Sequence, residues 1–181
     1  STVCMEKALN MCKSCGYMSM INIPVWMFLS SYEKLRGIML SENTIVNMVH
    51  PGRGIFGSDF GTTSFVVGKK HIAGYLGHYR RLFEKQGEVE TIEIREYRFL
   101  KKKGTFFADQ DNFAKIPGSP IAYWVSNHFV SLFEQKTIRD IAFAGIGMRT
   151  GDNERFLRFW QEVERSKMFV SCATAEEALE K

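Results

Sequence analysis

The chain has 181 residues and a mass of 20.8 kDa, with 24 Lys and Arg against 20 Asp and Glu, a formal charge of +4. A length of this order makes one domain or one and a half, and 45% hydrophobic with 24% charged residues excludes disordered, collagen-like and coiled-coil rod architectures. No apolar run approaches the roughly 20 residues that span a bilayer, and four cysteines in so long a chain make no disulfide scaffold, so a reduced, cytoplasmic setting without membrane is expected.

Ser1 to Cys15 reads as an amphipathic helix. Cys4, Ala8 and Cys12 recur every four residues with Met5 and Leu9 beside them, and Gly16 is placed to supply a left-handed stop. Tyr17 to Ile23 follows as a short apolar strand of the buried kind. After Pro24 and the aromatic stretch of Trp26 and Phe28, Ser30 and Glu33 spell a capping box for a second helix, with Tyr32, Leu35, Ile38 and Met39 inward. Thr44 to Val49 is again strand-like. A glycine-rich turn from Pro51 to Gly61 then leads into a β-branched strand, Thr62 to Val67. Helix and strand alternate, which argues for an α/β layered sheet. The turn before Thr62 is too short for a helical crossover, so that strand is expected to be antiparallel.

Tyr75, Tyr79 and Phe83 fit one strand face, and Val89 to Leu100 fits helix or strand. Lys101, Lys102, Lys103 and Gly104 mark a basic turn. Ser119 and Pro120 are the expected N-cap and first-turn proline of a helix running to about Glu134, with Ile121, Trp124, Val125, Phe129, Leu132 and Phe133 at helical spacing. Gly145, Gly147 and Gly151 define a loop. Glu154 to Val163 reads as a helix with Phe156, Phe159, Trp160 and Val163 inward, and Thr174 with Glu177 as a further capping box.

Four features bear on chemistry. Gly52-Arg53-Gly54-Ile55-Phe56-Gly57 satisfies the spacing of a dinucleotide fingerprint, but a strand rather than a phosphate-binding helix is expected after it, which favours a glycine-rich turn. Cys12 and Cys15 match C-x-x-C at the end of a helix, where no dipole lowers a thiol pKa. Cys172 and the scattered His50, His71, His78 and His128 give a zinc site poor support, so Cys4, Cys12 and Cys15 read as small apolar residues on a buried helix face. Asp109 and Asp111 are a carboxylate pair or a solvated turn. Lys101 to Lys103 with Arg95 and Arg98 form a basic patch that is either a solvated loop or a phosphate contact. The small net positive charge permits a nucleic-acid partner without requiring one.

Two stretches carry a resemblance. Ile116-Pro117-Gly118-Ser119-Pro120-Ile121-Ala122-Tyr123-Trp124-Val125-Ser126 resembles a signature of PglX-type adenine-specific DNA methyltransferases of BREX phage-defence systems. Thr150-Gly151-Asp152-Asn153-Glu154-Arg155-Phe156-Leu157-Arg158-Phe159-Trp160, followed by Glu162 and Val163, is similar to a second segment of that family. The run from Ile23 to Arg36 resembles the family's strand-to-helix passage after the catalytic loop, and Ser171 to Leu179 fits its recognition region. The stretch from about Lys69 to Phe113 is weakly matched.

The resemblance implies a partial Rossmann-like methyltransferase sheet, mixed and with an antiparallel late strand, followed by a mostly helical linker and recognition segment. Residues 1–115 would be the later part of the catalytic domain, and residues 116–181 the linker helix and start of the target-recognition region. It implies transfer of a methyl group from S-adenosylmethionine to the exocyclic amine of adenine in duplex DNA, with other defence-system subunits as partners. The family's cofactor loop and Asn-Pro-Pro-Tyr motif do not occur in this sequence. Both are expected before Ser1, the chain is expected to be a fragment cut at both ends, and the fragment alone is expected to be inactive. Phe56 is expected to stack on the flipped-out adenine, with Phe60 as competitor. Arg149, Asn153 and Arg155 are candidates for DNA contact or for loop structure and capping. A non-enzymatic DNA-binding specificity module of a restriction-modification system is the alternative.

Overall fold

The structure is a computed structural model and describes residues 2–57, 60–142 and 151–168. Five strands, β1 (Tyr17–Asn22), β2 (Thr44–Gly52), β3 (Thr62–Gly68), β4 (Leu76–Arg81) and β5 (Thr105–Asp109), form one sheet in the order β1-β3-β2-β4-β5. β3 is antiparallel to both β1 and β2, β2 is parallel to β4, and β4 is antiparallel to β5. Strands β1, β2 and β4 therefore run one way, and β3 and β5 the other. This is the expected mixed α/β sheet with an antiparallel late strand, since the short glycine turn before Thr62 folds β3 back against β2 and beyond it β1.

Helices α1 (Thr2–Met11) and α2 (Glu33–Glu42) flank β1 in sequence, α3 (Ile92–Leu100) lies between β4 and β5, and the short α4 (Asp111–Ala114) follows β5. Met5 and Leu9 of α1 and Met39 and Leu40 of α2 share one core with Trp26, Ile45, Met48, Phe65, Val67 and Tyr79. Met18, Met27, Phe113, Ile121 and Tyr123 complete it. Burying each of these large side chains stabilises the fold by about 1.5–3 kcal/mol relative to exposure. Two buried polar side chains tie distant segments into the core. The Gln110 side chain accepts from Ile45 N at 2.8 Å and donates to the carbonyls of Leu40 and Asn43. The Arg36 guanidinium donates to the carbonyls of Trp26, Leu29 and Gly118.

Several local expectations are corrected. α1 ends at Met11, and the left-handed residue after it is Cys15 (φ 59°) rather than Gly16. Cys4 and Cys15 are exposed and Cys12 half-buried, because the helix turns Met5 and Leu9 inward instead. The Ser30–Glu33 capping box does not form. A 3-10 turn over Ser30–Tyr32 precedes α2, Tyr32 makes no side-chain cap, and α2 buries Arg36, Met39 and Leu40.

Pro120 does not start a helix. Gly118 (φ 78°) and Ser119 (φ 47°) are both left-handed, Arg36 holds the Gly118 carbonyl, and Ile121 N donates to Met27 O at 3.0 Å. With its polar backbone groups committed to distant partners, the segment stays irregular until Ser126 caps the short helix α5 (Asn127–Ser131). The stretch legible as helix or strand is the helix α3, capped by Thr91.

The chain divides into two compact units, Ser1–Thr137 and Ile138–Lys181. In the second, the helix expected over Glu154 to Val163 is the single turn α6 (Asn153–Phe156), followed by a separate 3-10 turn at Trp160–Glu162. The break has a local cause: Phe159 N donates to the Glu162 carboxylate at 2.9 Å and begins a new turn. Phe156, Phe159 and Trp160 are exposed rather than inward. Thr174 and Glu177 lie outside the described residues. Among the described residues no helix is long and apolar enough to cross a membrane.

Candidate nucleic-acid interface

The topology gathers three connecting segments at one end of the sheet. β1, β2 and β4 end there at Asn22, Gly52 and Arg81, while β3 and β5 begin there at Thr62 and Thr105. The turn after Ile23, the glycine loop from Arg53 to Gly61 and the basic turn Lys101–Gly104 therefore share the carboxyl ends of the parallel strands. In open α/β sheets ligands bind outside those ends.

The glycine loop is built by left-handed backbone. Gly52 (φ 87°), Gly54 (φ 77°), Phe56 (φ 56°) and Gly57 (φ 68°) all occupy that region. A Cβ on Gly52 would stand 2.8 Å from the Phe83 ring, and one on Gly54 would stand 2.7 Å from Val89, so neither position admits a side chain. Arg53 anchors the loop twice: its guanidinium donates to Gly87 O at 3.0 Å, and its carbonyl accepts from the Arg95 guanidinium. Phe56 projects from this clamped base, 79% exposed. A phenylalanine in left-handed backbone is uncommon and carries a conformational cost of about 1–3 kcal/mol. Phe60, the competing aromatic, is also exposed.

Lys101, Lys102 and Lys103 are exposed on the turn into β5, with Lys103 Nζ 5.1 Å from the centroid of the Tyr97 ring. Gly104 seats that turn on β4, its carbonyl accepting from Arg81 N at 2.8 Å. Arg95 is corrected out of the basic patch: it is buried, and its guanidinium serves the Arg53 carbonyl. Arg98 pairs with Glu84 at 3.0 Å.

An aromatic layer lies beneath. Tyr123 stacks flat on Tyr79, with ring centroids 4.9 Å apart and 5° between planes, and its hydroxyl lies 3.1 Å from His50 Nδ1. Burial, helped by the nearby Arg81 charge, lowers the His50 pKa to about 4, so the imidazole is neutral at physiological pH. Tyr123 and Tyr79 are likewise held protonated by burial. His50, Arg36, Gln110 and Tyr123 are the positioning groups that sequence reasoning missed. Polar residues inside apolar runs, at His50 and Arg36, were the available signal.

In the second unit, Asp152 caps α6 by accepting from Arg155 N at 3.1 Å, Asn153 is the first helical residue, and the Arg155 guanidinium sits 5.2 Å over Phe156. Arg149 lies outside the described residues, as does Cys172. Asp109 and Asp111 face the other end of the sheet. Asp109 accepts from Asp111 N, and Asp111 pairs with His71 at 2.8 Å. Among the described residues no group of three or more His, Cys, Asp or Glu side chains comes together to hold a metal.

Residues 1–56 match the Eco57I restriction-modification methylase family. The chain is 38% identical over 180 residues to the adenine-specific methyltransferase PglX of Lacticaseibacillus casei (strain Zhang), covering 94% of this chain and 15% of that protein. It is 34% identical over 165 residues to the adenine-specific methyltransferase BrxX of Escherichia coli O9:H4 (strain HS), covering 88% of this chain and 13% of that protein. The chain is thus related over most of its length to one stretch of PglX-type adenine-specific methyltransferases, as its motifs imply, and spans about a seventh of the curated relatives it matches. Among solved structures, it resembles a modification subunit of a putative type I restriction enzyme from Vibrio vulnificus YJ016, with TM-score 0.46 and 9% identity over 62% of this chain and 28% of that one. It also resembles a type I restriction-modification methyltransferase subunit from Streptococcus thermophilus, with TM-score 0.41 and 13% identity over 58% and 25%.

Proposed function

We propose that this chain forms part of the catalytic body of an adenine-specific DNA methyltransferase of a restriction-modification or phage-defence system, and that the Phe56 turn receives the extruded adenine. The observation that carries the reading is the exposed Phe56 ring, set in left-handed backbone on the glycine turn at the carboxyl ends of β1, β2 and β4. Chemistry on a base requires its removal from the duplex, and a ring face offsets part of the lost stacking. Gly57, which lacks a side chain and borders open space, lets the nucleotide approach the backbone beside that ring.

S-adenosylmethionine supplies the methyl group in this reading. The chain's own glycine loop is unsuited to hold a cofactor phosphate or carboxylate as a helix N-terminus would, because β3 follows it. Residues 1–115 then contribute the sheet end that faces DNA, and residues 116–181 lead into target recognition. That division is one of role: Ile121 and Tyr123 pack into the core of the first unit. Lys101, Lys102 and Lys103 contact duplex phosphates. Arg149, Asn153 and Arg155 act in recognition, and further subunits of the defence system join the intact enzyme. The alternative, a specificity module without catalysis, accounts for the Thr150–Val163 segment but not for the strand and helix order over residues 1–56.

The test is adenine methylation in cells expressing the complete coding sequence that contains this chain. Methylated adenine should accumulate at a defined site, and Phe56→Ala should reduce the rate about 10- to 100-fold, with Phe56→Tyr close to the parent. Unchanged methylation by Phe56→Ala would remove the assigned role.

A further inference from the structure

Phe28 and Trp124 form a half-exposed aromatic pair that packing alone leaves unused. Their ring centroids lie 5.8 Å apart with 55° between planes, and they are 38% and 39% exposed. Each rests on fully packed neighbours. Phe28 follows Met27, which is completely buried and whose carbonyl accepts from Ile121 N. Trp124 stands edge-on to Tyr123, with centroids 4.9 Å apart and planes at 87°. Tyr123 is fixed in turn by its stack on Tyr79 and its bond to His50.

The pair shares the sheet end that carries the Phe56 turn. Gly61 closes that turn against the Pro24 ring, which would lie 3.0 Å from a Cβ placed there, and Pro24 opens the segment ending at Phe28. The Lys101–Lys103 turn at the same end supplies positive charge for a phosphate backbone. Held rings lose little freedom on stacking, and stacking on an aromatic side chain suits any base because every base has a π-face.

We propose that Phe28 and Trp124 form a second stacking surface, which takes an unpaired nucleobase neighbouring the one that Phe56 receives. This rests on the reading of the sheet end as a DNA interface. Extrusion of one base deprives each neighbour of one stacking partner, and a second ring face at the opening takes one of them as it leaves the duplex.

The experiment titrates the 181-residue chain carrying Trp160→Phe with a short single-stranded oligodeoxyadenylate and follows tryptophan emission. Trp26 is completely buried, so Trp124 reports contact. Emission should be quenched on binding, and the quench should disappear when Trp124→Phe is added. Trp124→Leu should weaken binding about 5- to 100-fold, and Trp124→Phe far less. Binding without quenching overturns the proposal, even where Trp124→Leu proves too unstable to use. Unchanged affinity of a folded Trp124→Leu variant overturns it as well. Phe56→Ala, measured in parallel, separates the two ideas: weakened binding there with unchanged affinity in Trp124→Leu sinks the second surface alone, and no effect from either variant sinks the reading of the sheet end.

Discussion

The Tyr123 hydroxyl and His50 Nδ1 lie 3.1 Å apart in the core, joining the carboxyl end of β2 to the segment that follows Ile116. The two residues are 73 positions apart in the chain. His50 also meets the edge of Phe83, whose ring closes on Gly52 at the start of the glycine loop. One neutral imidazole therefore supports the loop that carries Phe56 and the strand of chain that carries Trp124.

That imidazole makes stability depend on pH. Burial first, and Arg81 second, lowers its pKa from 6.5 to about 4. The unfolded chain therefore takes up this proton at higher pH than the folded one. Stability is complete above about pH 6.5 and is withdrawn as pH falls toward 4, by roughly 3 kcal/mol over the window. Urea midpoints measured across that window should fall with pH, and His50→Phe should flatten the dependence. An equal slope in the variant would contradict the assignment.

Arg36 should be intolerant of replacement. Arg36→Met leaves the carbonyls of Trp26, Leu29 and Gly118 without their donor, at a cost of about 3 kcal/mol or more. Arg36→Lys should recover little, because a single ammonium cannot reach three carbonyls as a planar fork does. Limited proteolysis should cut near Gly118 in both variants, and thermal unfolding gives the magnitude.

The two glycines nearest the proposed DNA contacts should behave differently. Gly104→Ala brings Cβ to 2.1 Å from Arg81 O at φ 68°, which forces β4 and β5 apart, so expression or the thermal midpoint should collapse. Gly57→Ala meets open space and suffers the left-handed backbone alone, about 1–2 kcal/mol. Equal losses in the two variants would show that the Arg81 contact is not what fixes Gly104.

What the sequence disclosed followed range. Apolar runs at Tyr17, Thr44 and Thr62 announced β1, β2 and β3, and the short turn before Thr62 announced an antiparallel strand, because these signals are local. The glycines around Phe56 marked a turn, while the ring itself was singled out only by the family resemblance. The helix expected at Pro120 was not there because Arg36, 82 residues earlier, takes the Gly118 carbonyl. Arg95 looked like part of a surface patch because its partner, the Arg53 carbonyl, lies 42 residues away. Periodicity also assigned Ile38 to the inner face of α2, where a buried arginine turned the helix to a different stripe.

The Asn-Pro-Pro-Tyr motif and cofactor loop that the family resemblance implies do not occur in the 181 residues. Purified alone, the chain should transfer no methyl group to adenine in DNA. Incorporation of labelled methyl by the isolated chain would place catalytic groups within it and overturn the account of residues 1–115.

The central claim is that Phe56 stacks on an extruded adenine. 2-Aminopurine placed at the target position of the mapped methylation site gives the most direct measurement, since its emission rises on leaving the duplex and falls on stacking against a ring. With the complete methyltransferase, the account predicts strongly quenched emission that rises several-fold in Phe56→Ala and stays low in Phe56→Trp. The same emission from the parent and from Phe56→Ala would contradict it.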